Sequence, residues 1–276
     1  ATLAAASMAG PAPAAEIEIA PPITEALFTP YPTSTGEGMR LSGAWVDLSG
    51  YHHIRLTGEI VPGDADRLRD VLSGIDPWPF GNTILSLSSP GGSFSEALEI
   101  GDILSGRGIG SYVADGDICL SACAFAFLGG RRMFVRNVLW EPWRHLHEGG
   151  TLGFHSPSLP GGVPRSVLET VGEDVLFAEI AAPTLDNIRE LQARAASWTL
   201  SGALLFEILG RVGAEQFFFL ERMEEATSSW ITVVDAHPPV YSGLGVIEAR
   251  LACEIVLPGR FRAFPYNIYS CGINNN

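Results

Sequence analysis

The chain contains no lysine, and all 17 of its basic residues are arginines. Because Schiff-base mechanisms and Ser–Lys dyads need a lysine amine, the sequence excludes both. Positive charge is scarce overall, since the formal net charge is −14 at pH 7. A nucleic-acid partner needs a basic stripe or patch on the protein surface. We therefore expect no nucleic-acid partner.

Long apolar runs are also missing, because no stretch reaches the roughly eighteen apolar residues of a membrane span. Residues 1–15, ATLAAASMAGPAPAA, are small and apolar and end in an A-x-A-like pattern before Glu16. This pattern is typical of the end of a secretory signal peptide, and a disordered Ala/Pro-rich leader is the alternative. We therefore expect a periplasmic or secreted bacterial protein that is soluble after signal cleavage.

Cysteines are few, and their spacing forms no C-x-x-C motif. The sequence therefore supports neither a zinc knuckle nor a thioredoxin-type site. Cys253 and Cys271 bracket a short C-terminal segment and could close it as a disulfide loop. Cys119 and Cys123, which flank Ser121, are a second candidate pair. The sequence leaves the connectivity open.

Apolar residues make up 46% of the chain and charged residues 17%, which predicts a substantial folded core. Residues 16–45 are rich in Pro, Ser, Thr and Gly and are interpreted as a linker or extended arm. We predict one α/β domain over residues 46–250 and a C-terminal extension over residues 251–276. Residues 136–150 contain Trp and charged side chains and are interpreted as an inserted loop.

Hydrophobic periodicity predicts strands that alternate with helices. Strands are predicted at 53–60, 83–87, 108–113 and 151–155, and further strands near 229–234 and 252–257. Helices are predicted at 64–72, 95–105, 119–128, 165–197 and 202–226. This alternation predicts an α/β fold built from repeated β-β-α units with packed helices.

Two motifs combine a small-residue turn with the start of a helix. Ser88–Gly92 lies between a predicted strand and a predicted helix, and its two glycines allow backbone N–H groups to face a ligand. Such N–H groups are what an oxyanion hole needs. Ser121 precedes Ala122 at the start of an apolar helix, where a hydroxyl can act as a nucleophile. Taken alone, a Pro-Gly-Gly turn is more often merely a turn, and an isolated serine in this position is more often an N-cap or a core serine.

Histidine provides the third candidate element. His155 ends an apolar strand and is placed to act as a general base. A metal site made from His145, His147 and Glu148 lacks a tetrahedral ligand set, so we predict no metal and no cofactor.

The order of these elements resembles the ClpP family of serine peptidases, within the ClpP/crotonase superfamily, over residues 53–247. Residues Ile54–Ile60 are similar to that family's first strand, and Ser89–Gly92 to its oxyanion turn. Ser121-Ala122 resembles the nucleophile segment, and Phe154–Pro157 the segment of the base. Residues Gly129–Phe134 resemble the hairpin between them. The likeness is greatest to exported, periplasmic ClpP-like proteins of bacteria.

The resemblance implies roles for individual residues. It implies a Ser121 nucleophile, a His155 base, and an oxyanion hole formed by the N–H groups of Gly91 or Gly92 and of Ala122. The family's third catalytic residue is an aspartate after the long helix, but residues 220–227 contain none. Glu224 is the preferred substitute, with Glu221 and Glu225 as alternatives. Ser121 and His155 are also 34 residues apart, a wider spacing than is usual in the family.

We therefore expect an ATP-independent serine hydrolase that cleaves a peptide or protein substrate. No ATPase partner is expected, because an exported protein has no ATP supply. Related folds commonly assemble into rings, which makes a homo-oligomer compatible with the resemblance. The main alternative is a catalytically weak or inactive binding or assembly module with the same fold. An acyl-CoA enzyme of the crotonase group is a further alternative, but CoA phosphates favour a basic pocket that this acidic chain does not offer.

Overall fold

A computed structural model of the chain describes residues 14–25, 27–35, 38–75, 82–134, 139–156, 182–211, 216–221 and 223–234, with the backbone alone for residues 28–45. Its strands are β1 (Glu16–Ala20), β2 (Leu27–Thr35), β3 (Gly38–Val46), β4 (His52–Thr57), β5 (Thr83–Ser88), β6 (Gly110–Val113), β7 (Ile118–Leu120), β8 (Arg131–Phe134), β9 (Leu139–Pro142), β10 (Arg144–His147), β11 (Thr151–Phe154), β12 (Phe218–Phe219) and β13 (Thr232–Val234). Its helices are α1 (Asp64–Ser73), α2 (Phe94–Arg107), α3 (Ala122–Phe127), α4 (Ala182–Arg194), α5 (Gly202–Leu209) and α6 (Met223–Ser228). The prediction of an α/β protein is confirmed.

Two sheets position the candidate site. The larger has six strands in the order β1-β4-β5-β6-β10-β13, in which β1 is antiparallel to β4 and the other neighbours are parallel. The smaller has three strands in the order β12-β11-β7, with β7 and β11 parallel. Parallel neighbours need crossover connections, and α1 and α2 supply them between β4, β5 and β6.

The chain passes through a second layer after each parallel strand before it forms a helix. After β4, Ile60 forms a parallel bridge with Gly92, and α1 follows. After β5, Ser89 forms a parallel bridge with Cys119 of β7, and α2 follows. After β6 comes β7 and then α3, and after β10 comes β11. Apart from β12, the second layer is therefore assembled from short segments that each continue a strand of the larger sheet.

Apolar side chains cover both faces of the larger sheet. In β5, Leu85 belongs to the main core with α1, α2 and α3, whereas its neighbour Ile84 belongs to a second cluster with Leu27 and Val46. Successive residues of a strand point to opposite faces, so these two clusters lie on the two sides of the sheet. The continuous apolar run in β5 is typical of a strand that is buried on both faces.

The interpretation of residues 16–45 as a linker or arm is wrong for most of that segment. Residues Glu16–Ala20 form the edge strand β1, and β2 pairs with β3 along its whole length. The alternation of Glu16, Ile17, Glu18 and Ile19 is a strand signal, and the prolines further along the segment obscured it. The N-terminal segment is therefore part of the fold.

The interpretation of residues 136–150 as an inserted loop is also wrong. Strand β9 pairs with β8, and β10 lies inside the larger sheet between β6 and β13. All four residues of β10 are buried although its sequence is Arg-His-Leu-His. Arg144 donates one hydrogen bond to the backbone carbonyl of Trp198, whereas its Nε and Nη1 atoms have no hydrogen-bond partner among the described residues.

The predicted helices differ from the observed ones at two places in the described chain. The segment predicted as a helix at 119–128 begins as strand β7, and α3 starts after Ser121. The segment predicted as a helix at 202–226 contains α5, strand β12 and α6. By contrast, α1 and α2 closely match their predictions. Much of the predicted helix at 165–197, the strand at 252–257, Cys253 and Cys271 lie outside the described residues.

Helix α2 shows how the sequence sets its own ends. The side chain of Ser93 accepts a hydrogen bond from the N–H of Glu96, as an N-cap residue does. Gly108 ends the helix with a φ of 69°, the left-handed conformation that glycine adopts readily.

None of the described helices combines the length and the apolar character that a bilayer crossing requires.

Candidate active site

Ser121 occupies a strained turn between a strand and a helix. Its φ is 55° and its ψ is −124°, values close to those of the first central residue of a type II′ turn, which is usually glycine. Such a conformation costs a residue with a side chain about 1–3 kcal/mol and persists only where its surroundings enforce it. The N–H of Ser121 donates to the carbonyl of Gly153 at 2.9 Å, which ties this turn to β11.

The pairing of β7 with β11 brings His155 to Ser121. Leu120, the last residue of β7, lies opposite Gly153 in the parallel register, so the residues that follow the two strands leave the sheet at the same edge. Oγ of Ser121 lies 2.6 Å from Nε2 of His155. The two residues singled out in the sequence as nucleophile and base are therefore joined by a hydrogen bond.

The hydrogen bond on the other ring nitrogen fixes the tautomer of His155. Nδ1 lies 2.7 Å from the backbone carbonyl oxygen of Ser156, and a carbonyl can only accept. Nδ1 therefore carries the proton and donates it, which leaves Nε2 of the neutral ring as the acceptor that faces Ser121. The N–H of Ser156 in turn donates to the carbonyl of Arg211 at 3.0 Å. The imidazole is thus oriented for proton abstraction.

The glycine turn packs directly against Ser121. A Cβ added at Gly91 would lie 2.7 Å from Cβ of Ser121 and 3.2 Å from the nitrogen of Ala122, so this position has no room for a side chain. The N–H of Gly91 donates to Oγ of Ser89 at 3.1 Å. The N–H of Gly92 is therefore free of an acceptor among the described residues, whereas the N–H of Gly91 is already used.

The segment that carries Ser121 is closed by a disulfide. Cys119, in β7, is bonded to Cys123, in α3, with the two Cα atoms 5.1 Å apart. Both cysteines are fully buried. The structure thus joins the pair that the sequence identified as flanking Ser121.

The structure describes the contacts of two of the three glutamates considered for a catalytic acid, Glu221 and Glu225, but not those of Glu224. The backbone N–H of Glu221 donates to Oε2 of Glu225 at 3.3 Å, so these two residues contact each other at the start of α6. Glu224 lies in α6, but its side chain is outside the described part of the structure. No carboxylate among the described side chains bonds to the His155 ring, and the position next to Nδ1 is taken by the carbonyl of Ser156.

Two phenylalanines border the imidazole. The ring of Phe217 stands edge-on to the His155 ring, with centroids 4.9 Å apart, and stacks on Phe219 at 5.5 Å. A Cβ at Gly153 would meet both Leu120 and Phe219 at 2.9 Å, so these side chains lie over the strand between the two catalytic candidates. The side of the site formed by Leu120, Phe217 and Phe219 is therefore apolar. It is only partly shielded from solvent, because Phe219 is 37% exposed.

Sequence reasoning missed several supports of the site. The carbonyl of Ser156 acts through a backbone atom, so no side-chain pattern indicates it. Ser89 was part of the recognised turn, but its role as acceptor for Gly91 depends on a fold-specific contact. Phe217 is a further omission, and the run of phenylalanines at 217–219 is the signal that could have drawn attention to it.

The histidines of β10 are separate from this site. His145 is fully buried, and neither ring nitrogen has a hydrogen-bond partner. Burial, and to a lesser degree the charge of Arg132, lower the pKa of His145 to about 3, so the ring is neutral. The described residues contain no group of three potential metal ligands, at His145, His147 and Glu148 or elsewhere.

No model of a known protein family matches the chain, and no curated protein matches its sequence.

Proposed function

We propose that this chain is an exported serine hydrolase that cleaves peptide bonds without ATP, with Ser121 as the nucleophile and His155 as the general base. One observation carries the proposal: Oγ of Ser121 lies 2.6 Å from Nε2 of a histidine whose other nitrogen donates to a carbonyl. This is the geometry that nucleophilic catalysis by serine requires. The placement of Ser121 on a strained strand-to-helix turn adds support, because such a turn exposes a hydroxyl at the edge of a sheet.

The fold supports the ClpP/crotonase interpretation. In such a fold, repeated strand-strand-helix units would place the nucleophile and the base in successive units. In this chain, β6, β7 and α3 form one such unit around Ser121, and β10 and β11 are two successive strands that lead to His155. The Ile60–Gly92 and Ser89–Cys119 bridges extend the same two-layer arrangement to the glycine turn.

The proposed reaction is acyl transfer in two steps. His155 takes the hydroxyl proton of Ser121 on Nε2 while Oγ attacks the carbonyl carbon, and the N–H groups of Gly92 and Ala122 hold the oxyanion. The C–N bond then breaks, and His155 returns the proton to the departing amine. In deacylation, the same ring takes a proton from water as the water oxygen attacks the acyl carbon. The bond between that carbon and Oγ then breaks, the carboxylic acid leaves, and His155 returns the proton to Oγ of Ser121.

A carbonyl in place of a carboxylate affects the rate. The carbonyl of Ser156 holds the correct tautomer, but it carries no net charge to stabilise the imidazolium that forms when Nε2 gains the proton. In a serine-protease triad, replacement of the aspartate gives the wrong tautomer and lowers kcat by about ten-thousandfold. The tautomer is correct here, so this cause of a low rate does not apply. Because the imidazolium has no neighbouring charge from the Ser156 carbonyl, we still expect a slow hydrolase.

The experiment is labelling of the folded protein with a fluorophosphonate probe, which phosphonylates an activated serine. We expect covalent labelling of the wild type and none of Ser121→Ala. We expect His155→Ala to lower the labelling rate by about a hundredfold to ten-thousandfold, the usual contribution of a positioned base. Ser73→Ala is the matched control, because Ser73 is an exposed serine whose Oγ donates to a backbone carbonyl in α1.

The outcomes separate the two candidate functions. Labelling that depends on Ser121 supports the hydrolase, and cleavage of a fluorogenic peptide library then tests whether the bond is a peptide bond. A folded wild-type protein that does not react refutes the hydrolase. That result favours a binding or assembly module, for which the supporting observation is that a main-chain carbonyl, and no carboxylate of the described side chains, lies next to Nδ1 of His155.

A further inference from the structure

Ser121 is held at both ends of its turn. Its N–H is bonded to the carbonyl of Gly153, and the N–H of Leu120 donates to the carbonyl of Ser89 at 3.0 Å. These two bonds position the strand side of the turn, which enters Ser121 from β7. On the helix side, the Cys119–Cys123 disulfide joins the middle of β7 to the first turn of α3. Ser121 is the central residue of the covalent ring.

The size of this ring indicates what the disulfide does. The two cysteines are four positions apart, so the bridge closes a very short loop. The stabilisation that a disulfide gives by restricting the unfolded chain grows with loop length, so a short loop contributes little of it. The main effect of this bridge is therefore local, on the backbone angles of the three residues that it encloses.

The backbone angles of Ser121 and Ala122 determine where the Ser121 hydroxyl and the Ala122 N–H point. A serine that is free to relax leaves a positive φ for the extended or helical region, where its Oγ points in another direction. The 2.6 Å contact with His155 then breaks. The oxyanion donor Ala122 lies in the same covalent ring, so its N–H turns away with the hydroxyl.

We propose that the Cys119–Cys123 disulfide is a positioning element for the nucleophile, and that Ser121 reaches full reactivity only when this bridge is formed. The inference rests on the proposed hydrolase function. Both sulfur atoms belong to fully buried residues, so the bridge is protected once the protein has folded. The cysteines touch no reacting atom and act through the backbone of Ser121 and Ala122.

The test compares the wild type with Cys119→Ala/Cys123→Ala in fluorophosphonate kinetics. We expect the maximal inactivation rate to fall by at least tenfold while the probe concentration at half-maximal rate stays within about twofold. A purely structural role would lower the melting temperature without this split. Ile84→Ala is the control, because Ile84 is fully buried in the cluster on the other face of the larger sheet. It should destabilise the fold and keep the wild-type inactivation rate.

A second measurement uses the wild type and does not depend on the folding of a variant. A dithiol reagent donates two electrons and two protons to a protein disulfide, yields two cysteine thiols and becomes a cyclic disulfide itself. Because the buried bridge is protected in the folded protein, the wild type is refolded at a series of dithiol concentrations, and alkylation with peptide mass spectrometry gives the fraction of Cys119–Cys123 that is reduced in each refolded sample. Labelling of Ser121 should fall in proportion to that fraction.

The outcomes distinguish this inference from the function on which it rests. If the wild type reacts at Ser121 and the double variant reacts within threefold of the same maximal rate, the positioning role is refuted and the hydrolase stands. Labelling that persists after reduction of the bridge has the same meaning. If the oxidised wild type does not react at all, both proposals fall together.

Discussion

Gly91→Ala is expected to damage the candidate site, because Gly91 packs directly against the turn that carries Ser121. Gly91 has a φ of 112°, and a Cβ there would lie 2.7 Å from Cβ of Ser121 and 2.8 Å from the carbonyl oxygen of Leu120. Neither contact belongs to the end of a flexible side chain. The backbone of the nucleophile turn must therefore move, and Ser121 must move with it.

The size of the effect combines two terms. A non-glycine residue at such a φ costs about 1–3 kcal/mol. Overpacking of a close contact typically costs about 1–3 kcal/mol more. We therefore expect the free energy of unfolding to fall by about 2–6 kcal/mol, within the 5–15 kcal/mol that a domain of this kind typically has. In the fraction that remains folded, the rate of fluorophosphonate labelling should fall by at least a hundredfold, because both Oγ of Ser121 and the N–H of Ala122 are displaced.

Urea unfolding and labelling kinetics measure the two effects separately. Gly106→Ala is the matched control, because a Cβ at Gly106, inside α2, meets nothing within 4 Å. That variant should gain up to about 1 kcal/mol from the better helix propensity of alanine and should label at the wild-type rate. If Gly91→Ala unfolds within about 0.5 kcal/mol of the wild type and labels equally fast, the close approach of the glycine turn to Ser121 is wrong.

Two further predictions concern the base and the buried strand. Nδ1 of His155 already donates to the carbonyl of Ser156, so Glu224→Gln should change the labelling rate by less than about threefold. A loss of labelling rate near the ten-thousandfold effect of a disabled triad aspartate would show instead that Glu224 is the catalytic acid. His145 has its pKa lowered to about 3 by burial, against about 6.5 in the unfolded chain, so between pH 7 and pH 5 the unfolded state gains a proton that the folded state does not. This lowers the free energy of unfolding by about 2 kcal/mol over that interval, and His145→Phe should lack this loss in urea titrations at the two pH values. An equal pH dependence in both proteins would contradict the neutral, buried state of His145.

The apolar spacing and end signals of the sequence correctly predicted those helices and strands that bury the side chains their own pattern indicates. Helix α1 begins at Asp64 and ends before Gly74, and both its apolar spacing and its boundaries can be read from the sequence. Strand β5 was recognisable from its apolar run before the glycine turn. These elements bury the residues that their pattern indicates, so tertiary contacts do not override the local preference.

Long-range pairing explains the elements that sequence reasoning missed. Strand β1 exists because β4 offers it a partner more than thirty positions along the chain, as the pairing of Ile19 with Ile54 shows. Strand β10 is polar in sequence but buried in the structure, because β6 and β13 enclose it on both sides. No local window contains these partners.

The candidate site was only partly accessible to sequence reasoning. Ser121 lies among small residues at the start of a predicted apolar helix and His155 ends a predicted apolar strand, and a single sequence can reveal both patterns. The orientation of His155 depends on a main-chain oxygen, and the choice of Gly92 over Gly91 depends on the side chain of Ser89. Both are properties of three-dimensional geometry that residue identities do not encode directly.

The pairing of β7 with β11 has a consequence for how this architecture can diverge. Because Leu120 faces Gly153 in the strand register, the separation of the reacting pair is set by a lateral hydrogen-bonded ladder and not by the length of chain that joins them. The number of residues between β7 and β11 can therefore differ without a change in the register that joins the two strands. Distant relatives should be recognised by the two strand ends with a variable gap between them, and not by a fixed Ser–His spacing.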